Sequence, residues 1–299
     1  MSSAGTVRLK TLLGDYPVTR ALKTGEIRSE YVSLDFADVK VPSSAFKRVV
    51  RQLEFDVAEL AIVTYLIAKA HGKPLVLLPA IVLARFQHPL ILYNIERGPL
   101  APGDLAGRRV GVRSYSVTTG AWIRGILADD YGVDIDRIKW VTFEEAHVAE
   151  FRDPPNVERA PEGRKILDML LAGEIDAAIV GDAAVADARI RPLIPDPPAA
   201  AAAWHKKNGA LQVNHLVVVR ESLSRSDPRA VQEVYRLLLA SKQAAAPPAA
   251  GMLDLNPFGV EANRRNLEVA IDCVYRQRLI PRRFEVDELF DDVTRTLGG

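Results

Sequence analysis

Short apolar runs alternate with stretches of helical spacing along the whole chain. Residues 7–13 read as a strand, and Asp15-Tyr16-Pro17 reads as a helix start with Asp15 as N-cap and Pro17 in the first turn. Strands follow at 32–36, 55–60 and 74–78, with helical spacing at 42–52 and a helix at 62–71 stopped by Gly72. The middle of the chain repeats this rhythm: strands at 109–112, 138–143 and 176–180, and helices at 118–130 and 164–171 ended by Gly132 and Gly173. The 176–180 run is so short and apolar that a central strand is expected. Residues 192–198 are proline-rich and loop-like, and the alanine run at 199–203 opens a helix. A long apolar strand at 211–220 precedes a helix with Asp227 as N-cap and Pro228 at N1, reaching about Lys242. A low-complexity loop spans 244–251, and 261–278 and 287–297 read as terminal helices.

Strands alternating with helices imply βαβ units and mostly parallel sheets. Two such sets of similar size predict an α/β, two-lobed protein, each lobe a mostly parallel sheet flanked by helices, with a ligand cleft between the lobes. Charge, glycine and proline interrupt the pattern at 93–99, and a return crossing is expected at 211–215. This gives residues 1–93 and 214–299 as lobe 1 and 94–213 as lobe 2. No internal repeat of 20–50 residues is visible.

Composition narrows the function classes. The 299 residues are 48% hydrophobic and 26% charged, which supports a sizeable core. The net charge of +1 gives no overall bias toward nucleic acid or an anionic membrane, so any charge selectivity is local. No run of about 18 apolar residues predicts a membrane span, and Met1–Thr6 lacks the pattern of a leader. A cytoplasmic location is expected. Cys273 is the one cysteine, excludes an intrachain disulfide, and reads as a buried structural thiol. No phosphate-binding glycine loop, dinucleotide fingerprint, nucleophile elbow or His-Glu-x-x-His motif occurs.

Several segments carry a resemblance. Gly103-Asp104-Leu105-Ala106-Gly107-Arg108-Arg109-Val110-Gly111-Val112 and Leu170-Leu171-Ala172-Gly173-Glu174-Ile175-Asp176-Ala177-Ala178-Ile179 resemble type 2 periplasmic-binding-protein folds. Five further stretches are more specific: Leu53-Glu54-Phe55-Asp56-Val57-Ala58-Glu59-Leu60, Arg85-Phe86-Gln87-His88, Tyr115-Ser116-Val117-Thr118-Thr119-Gly120-Ala121-Trp122-Ile123-Arg124-Gly125, His215-Leu216-Val217-Val218-Val219-Arg220 and Asn256-Pro257-Phe258-Gly259-Val260-Glu261-Ala262-Asn263-Arg264. In order along nearly the whole chain, this set resembles the 4,5-dihydroxyphthalate decarboxylase family. The resemblance implies a non-oxidative aromatic decarboxylase on a binding-protein scaffold, not exported and without an organic cofactor. The family form has a glycine-rich stretch where this chain reads Phe143-Glu144-Glu145-Ala146-His147, which leaves the ring substitution pattern open.

Decarboxylation of an electron-rich ring needs a hold on a spectator carboxylate and a proton for the ring carbon. Arg85 is the candidate anchor, because its planar fork takes a carboxylate through two parallel bonds. His88, His215 and His147 are the candidate proton carriers. Tyr16, Ser114, Tyr115, Thr118, Thr119, Trp122 and Arg124 are candidate substrate contacts, and Ser116 or Thr118 is expected to cap the helix that follows. No metal motif is present, although convergence of the three histidines in space leaves a divalent ion open. The expected partner is a small anionic aromatic substrate, with no nucleic acid and no membrane, and a homo-oligomer is left open. Two other readings compete: a solute-binding protein for a small carboxylate, serving transport or sensing without catalysis, and an enzyme of cofactor or precursor synthesis on the same fold.

Overall fold

The structure is a computed structural model that describes residues 6–181 and 185–298. The chain divides into two compact units. The first holds Met1–Arg85, Val213–Asp272 and Ile280–Gly299, and the second Phe86–Gln212 and Cys273–Leu279. The first unit opens with strand β1 (Val7–Leu12), helix α1 (Pro17–Lys23), β2 (Val32–Phe36), α2 (Phe46–Gln52), β3 (Val57–Ala61), α3 (Ile62–Ala70) and β4 (Leu75–Ala84). The second contains β5 (Ile91–Asn94), β6 (Arg109–Val112), α4 (Thr118–Tyr131), β7 (Lys139–Thr142), β8 (Val157–Arg159), α5 (Ile166–Ala172), β9 (Ala177–Ile179), β10 (Ile190–Pro192) and α6 (Pro197–Asn208). The chain then returns to the first unit with β11 (Val213–Arg220), α7 (Glu221–Ser226), α8 (Pro228–Ala244) and α9 (Val260–Arg276), the last of which continues past Asp272 into residues of the second unit.

The first unit is built on a sheet of order β2-β1-β3-β11-β4. β1 runs parallel to β2 and β3, and β11 runs antiparallel to both β3 and β4, so the returning strand is inserted against the grain of the others. β3 and most of β4 are buried on both faces, in keeping with a sequence that is apolar throughout β4 and apolar in β3 except at Glu59. One sheet face packs on α8, whose Val231, Val234, Tyr235 and Leu238 follow helical spacing and share a core with Leu9, Val57, Leu78 and Val217. Asp227 caps α8 by accepting from the Ala230 N–H at 3.0 Å.

Pro79 lies inside β4 and has no N–H to give the ladder. There the register slips: Leu78 faces Val217, but Ile81 faces Leu216 and Leu83 faces His215. Against β3 the same stretch of β11 pairs without interruption, His215 opposite Ala61 and Val217 opposite Glu59. The bulge therefore changes what lies beside His215 on one flank only.

The second unit holds a sheet of order β10-β5-β9-β6-β7-β8. β9, β6, β7 and β8 are parallel, and β5 runs antiparallel to both of its neighbours. β9 is interior, as its sequence implied. α4 and α5 stop at Gly132 and Gly173, both in the left-handed region at φ +64° and +71°.

Several expectations need correction. The chain passes between units at Arg85–Phe86 and not near Tyr93, because Tyr93 sits in β5 and pairs with Ala177 and Arg191. The irregular sequence at 93–99 ends a strand and not a lobe. Residues 273–279 count with the second unit, although the whole C-terminal stretch was assigned to the first. Asp15 does not cap α1: the N-cap is Tyr16, and Asp15 is exposed and paired with Arg20 at 3.2 Å. Neither Ser116 nor Thr118 caps α4, whose N-cap residue is Val117 without a side-chain bond. The helix expected at 287–297 is two 3-10 turns, Val286–Leu289 and Thr294–Thr296. There the Asp291 carboxylate accepts the N–H groups of Val293 and Thr294 at 3.0 and 2.8 Å, which competes with helix formation. The Met1–Gly5 segment read for a leader lies outside the described residues. Among the described residues no helix is long and apolar enough to cross a membrane.

Candidate functional site

In the first unit, β1, β3 and β4 are parallel and end on the same side of the sheet, where open α/β sheets place ligands. β11, running the other way, begins there. Four chain segments thus deliver side chains to one place: Tyr16 after β1, Glu59 in β3, Arg85 after β4, and His215 near the start of β11.

Glu59 is the centre of the cluster. It is completely buried, in a strand whose other members are all apolar. A buried carboxyl group is costly unless polar partners surround it, and three do. The Gly14 N–H donates to Oε2 at 2.7 Å, the Tyr16 hydroxyl donates to Oε1 at 2.6 Å, and His215 Nδ1 lies 2.5 Å from Oε1. His215 reaches Glu59 as a diagonal cross-strand neighbour, because its partner Ala61 lies on the same strand face as Glu59. The edge of the Phe46 ring meets the imidazole at 5.2 Å between centroids, and the His215 side chain keeps 15% of its surface.

The turn carrying Tyr16 is held by Thr19, which accepts from the Tyr16 N–H at 2.9 Å and donates to the Gly14 carbonyl at 2.7 Å. Gly14 is required for space: a β-carbon there would lie 2.6 Å from the Tyr16 ring. Burial, and after it the charge of Glu59, pushes the Tyr16 phenol far above its ordinary value, while the Arg85 guanidinium pulls it down. Tyr16 is therefore a permanent donor to Glu59, and Arg85 lies close enough for its charge to be felt at that phenol.

Of the residues singled out from sequence, Tyr16, Arg85 and His215 meet in the first unit; the rest lie in the second. His88 opens a 3-10 turn and is 1% exposed, with its ring 6.4 Å from that of Phe86. Neither ring nitrogen meets a hydrogen-bond partner among the described residues. Burial pushes its pKa down to about 4, against the weaker pull of Asp130. Burial therefore favours the neutral ring of His88 near pH 7. His147 is buried in the irregular stretch between β7 and β8.

Ser114, Tyr115, Thr118 and Trp122 are buried, and Thr119 is half-buried at the start of α4. Trp122 packs edge-on to Trp204 at 5.9 Å, as a core residue does. Arg124 is fully buried, its guanidinium stacked 3.9 Å over Tyr115 and its Nε donating to Gln277 at 2.7 Å. Burial pushes its pKa below the ordinary guanidinium value. Cys273 is buried and unpaired, its thiol pushed up to about 12 by burial. No group of three His, Cys, Asp or Glu side chains among the described residues is arranged to hold a metal ion.

Glu59 was not among the residues singled out from sequence. The signal was present: one carboxylate inside Val57-Ala58-Glu59-Leu60-Ala61, a run otherwise apolar enough to be buried on both faces.

No family model matches the chain. The chain is similar to the 4,5-dihydroxyphthalate decarboxylase of Comamonas testosteroni, 30% identical over 240 residues, covering 74% of this chain and 71% of that protein. It is also similar to the 4,5-dihydroxyphthalate decarboxylase of Pseudomonas putida, 31% identical over 212 residues, covering 67% of this chain and 82% of that protein. Among solved structures, the periplasmic aliphatic sulphonate binding protein of Escherichia coli matches with a TM-score of 0.61 at 15% identity, over 96% of this chain and 98% of that one. The alkanesulfonate-binding protein of Xanthomonas axonopodis pv. citri, bound to MOPS, matches with a TM-score of 0.58 at 16% identity, over 96% and 99%. These two likenesses establish the fold as that of periplasmic binding proteins. The two sequence likenesses establish descent: the chain belongs to the 4,5-dihydroxyphthalate decarboxylase family.

Proposed function

We propose that this protein is a carboxy-lyase that removes CO₂ from a hydroxylated aromatic dicarboxylate of the 4,5-dihydroxyphthalate kind, without an organic cofactor or a metal. The observation that carries the reading is the His215 imidazole, bound through Nδ1 to a buried carboxylate and partly exposed, at the same strand ends as Arg85. The relatives named for this activity support it.

In this reading the Arg85 fork holds the spectator carboxylate through two parallel bonds. The hydroxyl para to the leaving carboxylate pushes electron density onto the carbon that bears it. The Nε2 proton of the His215 imidazolium is transferred to that carbon. The bond to the carboxylate then breaks, its electron pair restores the aromatic ring, and CO₂ departs. His215 is left neutral and regains a proton from water, so one proton enters for each CO₂ released. A positioned acid of this kind contributes about 10²–10⁴-fold. A cytoplasmic location is part of the same reading.

A second reading is a solute-binding protein for a small carboxylate, serving transport or sensing without catalysis, as the names of the two structural neighbours suggest. One experiment separates the two. The purified protein is mixed with 4,5-dihydroxyphthalate, with and without a chelator, while CO₂ and the ultraviolet spectrum are followed. CO₂ with the spectrum of 3,4-dihydroxybenzoate, unchanged by the chelator, is the expected result. A rise in melting temperature with no CO₂ would select the binding protein.

A further inference from the structure

We propose that Glu59 is the positioning residue of this site: it fixes the proton of His215 on Nδ1, and so makes Nε2 the nitrogen that exchanges a proton with the substrate. The inference deepens the decarboxylase reading and rests on it for its functional consequence, though not for its structural test.

The hydrogen bonds require this tautomer. The Gly14 N–H is a fixed donor and takes Oε2. Tyr16 is a donor because its phenol keeps its proton, and it takes Oε1. A carboxylate offers only acceptors, so the His215 nitrogen 2.5 Å from Oε1 must also bring a proton. In the neutral ring the lone pair is then on Nε2, and in the imidazolium the transferable proton is on Nε2. The charged and titratable groups delivered to this place by its four segments are Glu59, Tyr16 and Arg85, and Phe46 from α2 adds an uncharged ring edge.

A purely structural role for Glu59 makes a different forecast. A side chain that only cements three segments could be replaced by the isosteric amide, whose oxygen and NH₂ can also bridge neighbours. The amide cannot, however, keep the same pattern. Its oxygen must face the Gly14 N–H, which has no alternative role. Its NH₂ then faces His215, which can accept only by moving its proton to Nε2.

The test uses full-length protein with ¹⁵N-labelled histidine, the His215 signals being assigned with a His215→Gln variant. In the wild type at a pH where His215 is neutral, Nδ1 should carry the proton and Nε2 should show the signature of an unprotonated ring nitrogen. In Glu59→Gln the pattern should invert. Turnover of 4,5-dihydroxyphthalate by Glu59→Gln should fall about 10²–10⁴-fold in kcat, with KM changed about threefold or less, because the acid and not the anchor is affected. Glu59→Asp, which keeps the charge but shortens the reach, should recover part of the loss. A neutral wild-type ring with its proton on Nε2, or a Glu59→Gln enzyme with wild-type kcat, would overturn the proposal. The wild-type spectrum decides the tautomer even if Glu59→Gln does not fold. Absence of CO₂ from the wild type would sink the decarboxylase reading while leaving the tautomer result standing.

Discussion

His88 makes the stability of the second unit depend on pH in a calculable way. Its ring is buried beside Phe86, with both nitrogens unpartnered among the described residues. Burial lowers its pKa from 6.5 to about 4, so the folded state resists a proton that the unfolded chain accepts readily. A depressed value contributes stability that is complete above pH 6.5 and is lost as the pH falls toward 4. The gap corresponds to about 3 kcal/mol, at 1.36 kcal/mol for each pH unit of difference between the two states. Many carboxylates titrate in the same range, so the informative quantity is a difference between two proteins. The three tryptophans, Trp122, Trp140 and Trp204, all lie in the second unit, and Trp204 packs on the same Phe86 as His88. Tryptophan fluorescence therefore reports unfolding of the unit in question. Denaturant titrations of the wild type and of His88→Leu, which cannot take a proton, should be compared from pH 7 to pH 4. The wild type should lose about 3 kcal/mol more than the variant over that interval. A difference constant to within about 0.5 kcal/mol would show that His88 is not held neutral by its surroundings.

Other perturbations test the first unit. Arg85→Lys keeps the charge but loses the two-bonded grip, and kcat/KM for a dicarboxylate substrate should fall about 10–100-fold, mainly through KM; steady-state kinetics with unchanged values would remove Arg85 from the site. Gly14→Ala places a β-carbon 2.6 Å from the Tyr16 ring, so the phenol must leave Glu59. Melting should show a loss of about 1–3 kcal/mol together with reduced turnover, and a wild-type melting curve would mean that the turn relaxes freely. The Tyr65 hydroxyl donates to the Leu289 carbonyl at 2.6 Å inside the core, so Tyr65→Phe should cost about 1–2 kcal/mol in denaturant unfolding, and an unchanged unfolding midpoint would show that this bond adds nothing.

The sequence by itself determined most of the elements and the class of fold. Its apolar periods are local, and local patterns mark strands such as Val32–Phe36 and helices such as α4 and α8 with their glycine stop and aspartate cap. It also held the family resemblance, and it drew Tyr16, Arg85 and His215 from separate segments. Local competition misled it where one side chain outbid a pattern. Asp291 captured the amides of a would-be helix, and Tyr16 displaced Asp15 at the start of α1. Tertiary structure decided everything that depends on which strands are neighbours. A histidine and a glutamate 156 residues apart become diagonal partners only because β11 returns antiparallel between β3 and β4. His88 and Arg85 are three residues apart in the chain, yet they belong to different units, and only burial in the fold lowers the pKa of the His88 ring. A charge's chemistry is set by desolvation and by its donors and acceptors, and these come from segments that only the folded sheet brings together.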